Sequence, residues 1–421
     1  MNVCLLAAGS LGDILPYLSI ARELVERGHN VRMATALLYR ERVLATGSSH
    51  YSIGHPDPQK VWKDISAERP SRNPFRMISH IYRHNGGGRE DLMQILSACR
   101  NADMIVATTG IACAIHVARF FGVPKILCHL SPLYETSEFP RPIGPSWCHT
   151  TPLGSWWNRF THSATSQLFW MADRPGINSW LQDELKLDPI PLWRQQTDVP
   201  MLFGFSSLII PKPLDWPKSN HITGYWFSNE SDPWKPPARL EQFLDTNDPI
   251  IAVALGSQVV DPVFRDQVLV KGILQSGAKV VVTRGWSGSG ILDEKRVCEV
   301  DFVPYRWLFP KLTAVMHHGG AGTGAEAIRA GVPSILIPFT GEQRFWAQRY
   351  YEAGLGTFPL HPYRFSANQV ASRTQSVFRN ESLTAKAVMT GSQIDQEHGV
   401  DNAASLIEHY ASYASNNFHR N

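Results

Sequence analysis

The sequence predicts an α/β protein with parallel sheets, and two stretches of the chain support this prediction. Near the N-terminus, a strand at 2–8, a helix at 14–27 and a strand at 30–36 form a βαβ unit. From residue 313, another strand runs through a glycine-rich loop into a helix and then a further strand. For such a unit we expect a right-handed crossover and two parallel strands in one sheet.

The composition is that of a globular protein with more than one domain. The 421 residues are 43% hydrophobic and 18% charged, and single cores stop growing beyond about 250–300 residues. The formal net charge is only +3, and the sequence has no basic block of the kind that binds phosphate backbones. We therefore expect two or three domains and no nucleic-acid partner.

Cysteine usage and the absence of targeting segments bear on the compartment. The cysteines, at positions 4, 99, 113, 128, 148 and 298, form no CxxC pair, which predicts reduced thiols. Met1 to Ala8 is too short for a signal peptide. No apolar run reaches the roughly 18 residues that span a bilayer. These features favour a cytoplasmic location and leave peripheral membrane contact and the oligomeric state open.

The remaining elements extend the two βαβ units into two sheets. For the first sheet the pattern predicts strands at 104–107 and 124–129, with helices near 90–99 and 111–121. For the second it predicts strands at 250–255, 279–283 and 301–303, with helices near 264–274, 344–353 and 402–413. The connection between domains is placed in the segment 211–237, which is rich in proline and tryptophan.

The glycine-rich loop after the strand at 313–317 is a candidate anion site. Its glycines, at 319, 320, 322 and 324, let the backbone approach a ligand closely. A helix predicted from Ala325 would direct free N–H groups and its positive dipole end at a diphosphate. Glu326, one turn into the helix, could accept hydrogen bonds from ribose hydroxyls. The alternative is an ordinary tight βα turn, and dehydrogenases use similar loops.

Asp13 is a second candidate. It follows the first strand, where open α/β sheets place ligand-contacting residues. Aspartate is also a good helix N-cap. The two roles are compatible.

The glycine-rich segment resembles the donor site of a known enzyme family. The run His317-His318-Gly319-Gly320-Ala321-Gly322-Thr323, then Glu326, Ala330 to Pro333, Pro338 and Glu342-Gln343, is similar to the signature of glycosyltransferase family 1. The resemblance implies the GT-B fold, two facing Rossmann-like domains with parallel sheets. It also implies an inverting, metal-independent enzyme whose co-substrate is a nucleotide-diphosphate sugar, with no further cofactor.

The N-terminal turn resembles the bacterial and sterol-type members of this family. These members share the pattern Gly-Ser-x-Gly-Asp-x-x-Pro, which here runs from Gly9 to Pro16. Asp13 lies where plant members carry their catalytic histidine, so the resemblance makes Asp13 the general base. Plant members orient that histidine with an aspartate at the position of Thr108. A carboxylate base needs no such partner, which agrees with threonine here.

The resemblance also assigns donor-binding residues. Backbone near Val303 to Arg306 would recognise the nucleobase, and Ser257 would add a phosphate contact. Glu342 and Gln343 match the pair that holds sugar hydroxyls, with glutamate in place of the commoner aspartate. The full donor-binding set is Ser257, Arg284, Val303, His318, Gly320, Gly322, Thr323, Glu326, Glu342 and Gln343.

The acceptor is expected to be lipophilic. The segment from Ser131-Pro132 to Pro140-Arg141-Pro142 resembles the acceptor-side loop of sterol glucosyltransferases and of the rhamnosyltransferase of rhamnolipid synthesis. Six tryptophans between 131 and 193 could line an apolar pocket or could be buried in the domain core. The acceptor-binding residues predicted are Ser10, Leu133, Tyr134 and Trp157.

The domain boundaries and the alternatives complete the prediction. We expect an acceptor-binding domain at 1–215, a nucleotide-sugar-binding domain at 216–397 and a C-terminal helix at 398–421 that returns to the first domain. No Asp-x-Asp or His-Glu-x-x-His motif indicates a metal site. The alternatives are an NAD(P)-binding oxidoreductase and a catalytically inactive GT-B binding module. Against the oxidoreductase, no acidic residue ends a strand about 20 positions after the glycine-rich loop.

Overall fold

The computed structural model shows two α/β domains, each built on one parallel sheet. It describes residues 1–54, 89–108, 111, 113–142, 154–193, 199–228, 234–256, 260–283, 295–361 and 364–418. Every strand pair within the two sheets is parallel. The predicted α/β class with two parallel-sheet domains is confirmed.

The first sheet has seven strands in the order β3-β2-β1-β4-β5-β6-β7. The strands are β1 (Asn2–Leu6), β2 (Asn30–Thr35), β3 (Ser49–Ser52), β4 (Met104–Thr108), β5 (Lys125–His129), β6 (Met201–Phe203) and β7 (Asn220–Ile222). The helices of this part are α1 (Leu11–Glu26), α2 (Arg40–Leu44), α3 (Arg89–Ala98), α4 (Ala114–Phe121) and α5 (Gly154–Asp183).

The second sheet has five strands in the order β10-β9-β8-β11-β12. The strands are β8 (Ile250–Ala254), β9 (Lys279–Thr283), β10 (Val297–Val300), β11 (Ala314–His317) and β12 (Ser334–Leu336). The helices are α6 (Ala238–Leu244), α7 (Pro262–Phe264), a π-helical segment (Arg265–Val270), α8 (Lys271–Gln275), α9 (Tyr305–Leu308), α10 (Ala321–Arg329), α11 (Gly341–Glu352), α12 (Ala367–Phe378), α13 (Glu381–Asp395) and α14 (Gly399–Phe418).

Both sheets are covered by helices on their two faces, which explains why their strands are apolar throughout. Along β1, Val3 and Leu5 join one hydrophobic cluster, whereas Cys4 and Leu6 join another on the opposite face. Strand β8 alternates between two clusters in the same way. Since side chains alternate faces along a strand, a sheet buried on both sides needs apolar residues at every position.

Several boundaries differ from the predicted ones. Strand β7 pairs with β6 in the first sheet, so that sheet extends beyond residue 215, where the first domain was predicted to end. The strand predicted at 301–303 lies at Val297–Val300 instead. Helix α10 begins at Ala321 rather than Ala325, so the glycine-rich segment forms the first turn of the helix.

The two domains share a buried aromatic interface. Phe139 and Phe205 of the first domain pack against α11, with ring centroids 5.5 Å from Phe345 and 5.7 Å from Trp346, respectively. Trp346 is fully buried in this cluster. The interface therefore fixes the position of α11, whose first turn carries the predicted sugar-binding pair.

The C-terminal helix α14 packs on the first domain. Its Ala403, Ala404 and Ile407 are fully buried in the same cluster as α1. Arg27, at the end of α1, forms ion pairs with Asp401 and Glu408 of α14. The chain thus crosses from the first domain to the second and back again.

The sequence predicts reduced thiols and no helix that spans a membrane. Cys4, Cys99, Cys113, Cys128 and Cys298 are free and buried, and Cys148 lies outside the described residues. In the described part of the chain, no helix combines the length and apolar character needed to cross a bilayer.

Candidate active site between the two domains

Asp13 lies in the first turn of α1, held by the turn that follows β1. The main chain at Gly9 has a φ of +135°, a conformation that L-residues rarely adopt. A Cβ at Gly9 would lie 2.6 Å from Oδ2 of Asp13. Glycine is therefore needed at position 9 for Asp13 to occupy its place.

Ser10 fixes the carboxylate of Asp13. Its backbone N–H and its Oγ each donate a hydrogen bond to Oδ2 of Asp13, both at 2.8 Å. Ser10 is the N-cap of α1, and Asp13 is the carboxylate of its capping box. Both bonds end on Oδ2, which leaves Oδ1 for a proton carried by a ligand. Ser10 was predicted to bind the acceptor. In the structure its hydrogen bonds go to the carboxylate of Asp13.

The surroundings of Asp13 favour a basic carboxylate. Its side chain is accessible from the cleft, but the protein around it raises its pKa by desolvation. The hydrogen bonds from Ser10 oppose this by stabilising the charged form. A carboxylate with a raised pKa is a stronger base than one in water, which suits it to accept a proton.

The glycine-rich turn forms the N-terminus of α10. Gly320 is its N-cap, and Gly322 and Thr323 lie in the first turn. Gly319 has a φ of +82°, and its N–H donates to Nδ1 of His317 at 3.1 Å. The first N–H groups of a helix have no partner within it, so this helix N-terminus can bind an anion.

Gly324 does not have the predicted role. The glycine spacing predicts a ligand-approaching loop at Gly324, but this residue lies inside α10 and is buried. A Cβ there would lie 2.3 Å from Cε2 of Tyr350. Gly324 is therefore required for packing between α10 and α11.

His318 is a buried, neutral side chain beside the helix N-terminus. A Cβ at Gly320 would lie 2.3 Å from its Nε2, and one at Gly256 would lie 3.1 Å from its Cε1. Burial lowers the pKa of His318 to about 4, although a hydrogen bond to the backbone of Ala254 raises it. The neutral imidazole is packed between two glycines at the carboxyl end of β8.

Glu326 and the segment before α9 form the outer part of the site. Burial raises the pKa of Glu326, and the charges of Arg329 and Arg306 lower it. These three residues line a surface cavity of about 290 Å³. The preceding loop contains Val303, which is buried, so its side chain does not face a ligand.

Tyr305 joins this loop to the glycine-rich turn, a role that was not predicted from the sequence. Burial raises the pKa of its phenol, while hydrogen bonds with Thr283 and Thr323 lower it. Because Thr323 also lies in the first turn of α10, Tyr305 fixes one wall of the site relative to the other. The nearest signal in the sequence is the Val303–Arg306 segment itself.

Glu342 and Gln343 lie in the first turn of α11 and have different surroundings. Oε1 of Gln343 accepts hydrogen bonds from the backbone N–H groups of Phe339, at 2.8 Å, and Thr340, at 3.2 Å. Its carbonyl thus caps the helix, and its amide NH2 group carries the hydrogen-bond donors of the side chain. Glu342 instead reaches the first domain, where its carboxylate accepts a hydrogen bond from Ser131.

Asp13 of the first domain is close enough to Glu342 of the second for its charge to act on that carboxyl. The pKa of Glu342 is raised by burial first and also by repulsion from the charge of Asp13, whereas the bond from Ser131 lowers it. The predicted base and the predicted sugar contact are therefore brought together by the fold.

The acceptor-side loop is anchored at both ends. Asp215 accepts hydrogen bonds from Oγ1 of Thr136 and the N–H of Ser137, each at 2.7 Å. Arg141 donates to Oγ of Ser166 on α5 at 2.6 Å. Leu133 and Tyr134 lie half-buried just before these anchors in the chain. The loop is thus held as a rigid wall beside the cleft.

Some tryptophans of the segment 131–193 are buried in the domain core, and others are exposed. Trp170 and Trp180 are buried in the core, whereas Trp156 and Trp193 are each 72% exposed. Trp157 is half-buried and packs with Trp156 and Phe160 at the start of α5. Trp147 lies outside the described residues, as do Ser257 and Arg284 of the predicted donor site.

No metal centre is found in the part of the chain that the structure describes, where no three histidine, cysteine or acidic side chains are grouped as ligands. His317 and His318 are each buried in separate surroundings, as their adjacent positions predict.

Comparisons with known proteins agree with this arrangement. Residues 3–139 match the model of the glycosyltransferase family 28 N-terminal domain, and residues 277–398 match that of the erythromycin biosynthesis protein CIII-like C-terminal domain. The sterol 3-beta-glucosyltransferase of Yarrowia lipolytica is 30% identical over 98% of this chain, which spans 29% of that relative. Sterol 3-beta-glucosyltransferase UGT80A2 of Arabidopsis thaliana is 28% identical over 99% of this chain and 67% of its own length. The chain thus spans less than a third of the fungal relative.

Solved structures show the same two-domain fold. The glycotransferase of kitacinnamycin superposes with a TM-score of 0.72 over 97% of this chain and 98% of its own, at 17% identity. The glycosyltransferase VinC in complex with dTDP gives a TM-score of 0.67 over 98% and 100% of the two chains, at 18% identity. In its fold and in these matches, the chain resembles the UDP-glycosyltransferase-like family 1 of GT-B proteins.

Proposed function

We propose that this protein is a glycosyltransferase that moves a hexose from a UDP- or dTDP-sugar to a hydroxyl group of a lipophilic small molecule. The reaction inverts the anomeric centre and needs no metal ion. One observation carries the proposal: Asp13 of the first domain and the N-terminus of α10 of the second face the same cleft. A base and an anion site on opposite walls are what transfer from a nucleotide sugar requires.

The topology explains why the two groups meet. In an open parallel sheet, ligands bind at the switch point, where the strand order changes direction from the first strand. In the first sheet this point lies between β1 and β4, and Asp13 follows β1. In the second it lies between β8 and β11, and the glycine-rich turn follows β11. The domains present these two points to each other.

The donor is held by the second domain. The N–H groups of the first turn of α10, from Gly320 to Thr323, bind the diphosphate and stabilise its charge as the leaving group departs. Glu326 accepts hydrogen bonds from the ribose hydroxyls, and the backbone at Val303 contacts the nucleobase. Neutral His318 supports the turn without adding a charge.

Asp13 is the base. Its free oxygen takes the proton of the acceptor hydroxyl while that oxygen attacks the anomeric carbon and the bond to the diphosphate breaks. One displacement transfers the sugar, so the configuration inverts. The helix dipole and the N–H groups stabilise the diphosphate formed, which is the work a divalent cation does in metal-dependent transferases.

The sugar lies between Glu342, Gln343 and Asp13. The carboxylate of Glu342 accepts hydrogen bonds from sugar hydroxyls, and the amide of Gln343 donates them. The acceptor enters along the loop around Leu133 and Tyr134, with Trp157 near the start of α5. The names of the sterol 3-beta-glucosyltransferases that this chain resembles support a lipophilic acceptor.

The test begins with the donor. Thermal shift with UDP, dTDP and their sugars should show stabilisation by at least one nucleotide sugar. That donor is then supplied with sterols and other lipophilic alcohols, and the stereochemistry of the product is determined. Glu326→Ala should weaken nucleotide binding. Binding without transfer or donor hydrolysis would indicate an inactive binding module, and stabilisation by NAD(P) alone would indicate an oxidoreductase.

A further inference from the structure

A serine of the first domain contacts the predicted sugar-binding carboxylate of the second. Oγ of Ser131, two residues after β5, donates a hydrogen bond to Oε1 of Glu342. The same oxygen accepts a hydrogen bond from Nε1 of Trp346 at 3.1 Å. Ser131 is 3% exposed and Trp346 is fully buried, so the arrangement lies inside the interface.

The direction of these bonds follows from the chemistry of the three groups. An indole N–H can only donate, so Ser131 must accept from Trp346. The single hydroxyl proton of Ser131 is then directed at Glu342. A carboxylate is the acceptor that gains most from such a bond, because a charged partner makes it stronger.

We propose that Ser131 is a positioning residue for Glu342 that holds Oε1 and presents Oε2 to the sugar. This inference rests on the proposed function, since it assumes that Glu342 contacts the donor sugar. Because Ser131 and Glu342 belong to different domains, the carboxylate takes this orientation only when the first-domain loop is seated against α11. Sugar binding and the closed arrangement of the domains are thereby linked.

The pairing also explains why position 342 carries glutamate. Aspartate is one methylene shorter, so its carboxyl would be withdrawn by about 1.5 Å from the loop of the first domain. From the same backbone position it could not both reach Ser131 and face the sugar. Ser131 and Glu342 therefore act as a pair across the two domains.

The groups around Glu342 show how the hydrogen bond from Ser131 affects the ionisation of this carboxyl. Burial raises the pKa of Glu342, Asp13 on α1 raises it further, and Ser131 lowers it. Tyr350, one helical turn beyond Trp346, is a neutral phenol with its own pKa raised by burial. Among the groups that act on Glu342, Ser131 is thus the one that favours its ionised, hydrogen-bond-accepting form.

The experiment compares Ser131→Ala with Ser131→Thr, which keeps a hydroxyl. The affinities for a nucleotide sugar and for the nucleotide diphosphate alone are measured for each variant. Ser131→Ala should lose about tenfold in affinity for the nucleotide sugar, the worth of a hydrogen bond to a charged group, and keep its affinity for the diphosphate. Ser131→Thr should restore much of the loss.

Ser206→Ala is the matched control. Oγ of Ser206 donates a 2.5 Å hydrogen bond to Oε1 of Glu397, so it is another buried serine paired with a distant carboxylate. It is remote from Glu342 in its contacts, and its removal should lower stability without changing the ratio of the two affinities. A merely structural role for Ser131 would give the same result as this control.

The pH dependence adds a second readout. Without the hydroxyl of Ser131, the pKa of Glu342 rises, so the acidic limb of kcat/KM should move to higher pH in Ser131→Ala. Ser206→Ala should leave this limb in place. Glu342→Asp should reproduce the Ser131→Ala losses, and the double variant should be little worse than either single one, because both remove one interaction.

The inference would be overturned if Ser131→Ala left two quantities unchanged. These are the ratio of the affinities for nucleotide sugar and nucleotide diphosphate, and the acidic limb of kcat/KM. If Ser131→Ala does not fold, Glu342→Asp provides the same comparison, because it breaks the bond and leaves Ser131 and Trp346 in place. If the unmodified protein binds nucleotide diphosphates but no nucleotide sugar, the proposed function fails and this inference falls with it.

Discussion

Gly12 and Gly322 face each other across the cleft, and each lies in the first turn of a helix. A Cβ at Gly322 would lie 3.9 Å from the carbonyl oxygen of Gly12, which is ordinary contact distance. Helices α1 and α10 thus approach by their N-termini, and both direct a positive dipole end at the same space. This relationship brings the proposed base of one domain close to the proposed anion site of the other.

The space beside Gly322 gives the first prediction. Gly322→Ala adds a methyl group that meets no protein atom closer than 3.9 Å. Its stability should stay within about 1 kcal/mol of the parent, since alanine suits a helix better than glycine. The methyl group projects where the diphosphate would bind, so affinity for nucleotide diphosphates should fall by about tenfold or more. Calorimetry and titration measure the two effects.

Gly324→Ala is the control for that variant. Its Cβ would lie 2.3 Å from Tyr350, so it should destabilise the protein by about 1–3 kcal/mol through overpacking. Its folded fraction should keep the nucleotide affinity of the parent. The opposite assignment, with Gly324→Ala weakening binding at full stability, would contradict the geometry of α10.

Much of the fold was predictable because turn signals and apolar runs mark parallel strands clearly. The strand at 279–283 agrees with β9 at both ends. Helix α5, which runs from Gly154 to Asp183, was not predicted, because Pro175 and scattered polar residues obscure its period. Strand β7 is only three residues long and follows a proline-rich segment, so its place in the first sheet left no clear signal.

The site was predictable where a motif lies in one stretch of chain, as around His318 and Glu326. The contact between Ser131 and Glu342 joins residues 211 positions apart, so no local sequence pattern predicts it. The role of Gly324 was mistaken for a similar reason, since the ring of Tyr350 that excludes a side chain comes from another helix. Roles that depend on neighbouring residues in the chain could be predicted from the sequence. Contacts between distant helices and strands could be identified only in the structure.

A second prediction concerns Asp13 as the base. Asp13→Asn keeps the shape of the side chain and removes its basicity. We expect turnover to fall by about 10²-fold or more while donor affinity stays near that of the parent. Rapid-quench measurement of a single turnover, with donor binding measured separately, provides the check. Near-full turnover in this variant would contradict the assignment.

A third prediction concerns the pH dependence that Ser10 imposes. The pKa of Asp13 is raised by desolvation, and the Oγ bond from Ser10 lowers it. Ser10→Ala removes that opposing bond, so the pKa of Asp13 should rise. Because only the ionised carboxylate accepts the proton, the acidic limb of the rate profile should move to higher pH. A pH profile of the single-turnover rate with saturating donor tests this, and a shift to lower pH would contradict it.

The fourth prediction concerns divalent cations. The N–H groups of α10 and its dipole are proposed to stabilise the leaving diphosphate. Activity should therefore survive dialysis against EDTA and should not rise substantially on addition of magnesium or manganese. Loss of activity in chelator that either ion restores would require a metal in the reaction.

Asp215 anchors the acceptor-side loop, and its charge should stabilise the protein. Desolvation raises its pKa, but hydrogen bonds led by that of Thr136 outweigh this and lower it to about 2. The depressed pKa means that the stabilisation is present above about pH 4 and lost as the pH falls towards 2. Asp215→Ala should cost about 2 kcal/mol at pH 7, because Thr136 and Ser137 lose a charged acceptor.

The test is urea unfolding of Asp215→Ala and the parent between pH 7 and 2. Exposed Asp188→Ala is the control and should stay within about 0.5 kcal/mol of the parent. The difference between Asp215→Ala and the parent should shrink as the pH falls from 4, since protonation removes the same interaction in the parent. Because the anchored loop is proposed to form the acceptor wall, the KM for the acceptor should rise in Asp215→Ala while donor affinity is kept. A pH-independent stability difference, or a loss of donor affinity alone, would contradict this role for Asp215.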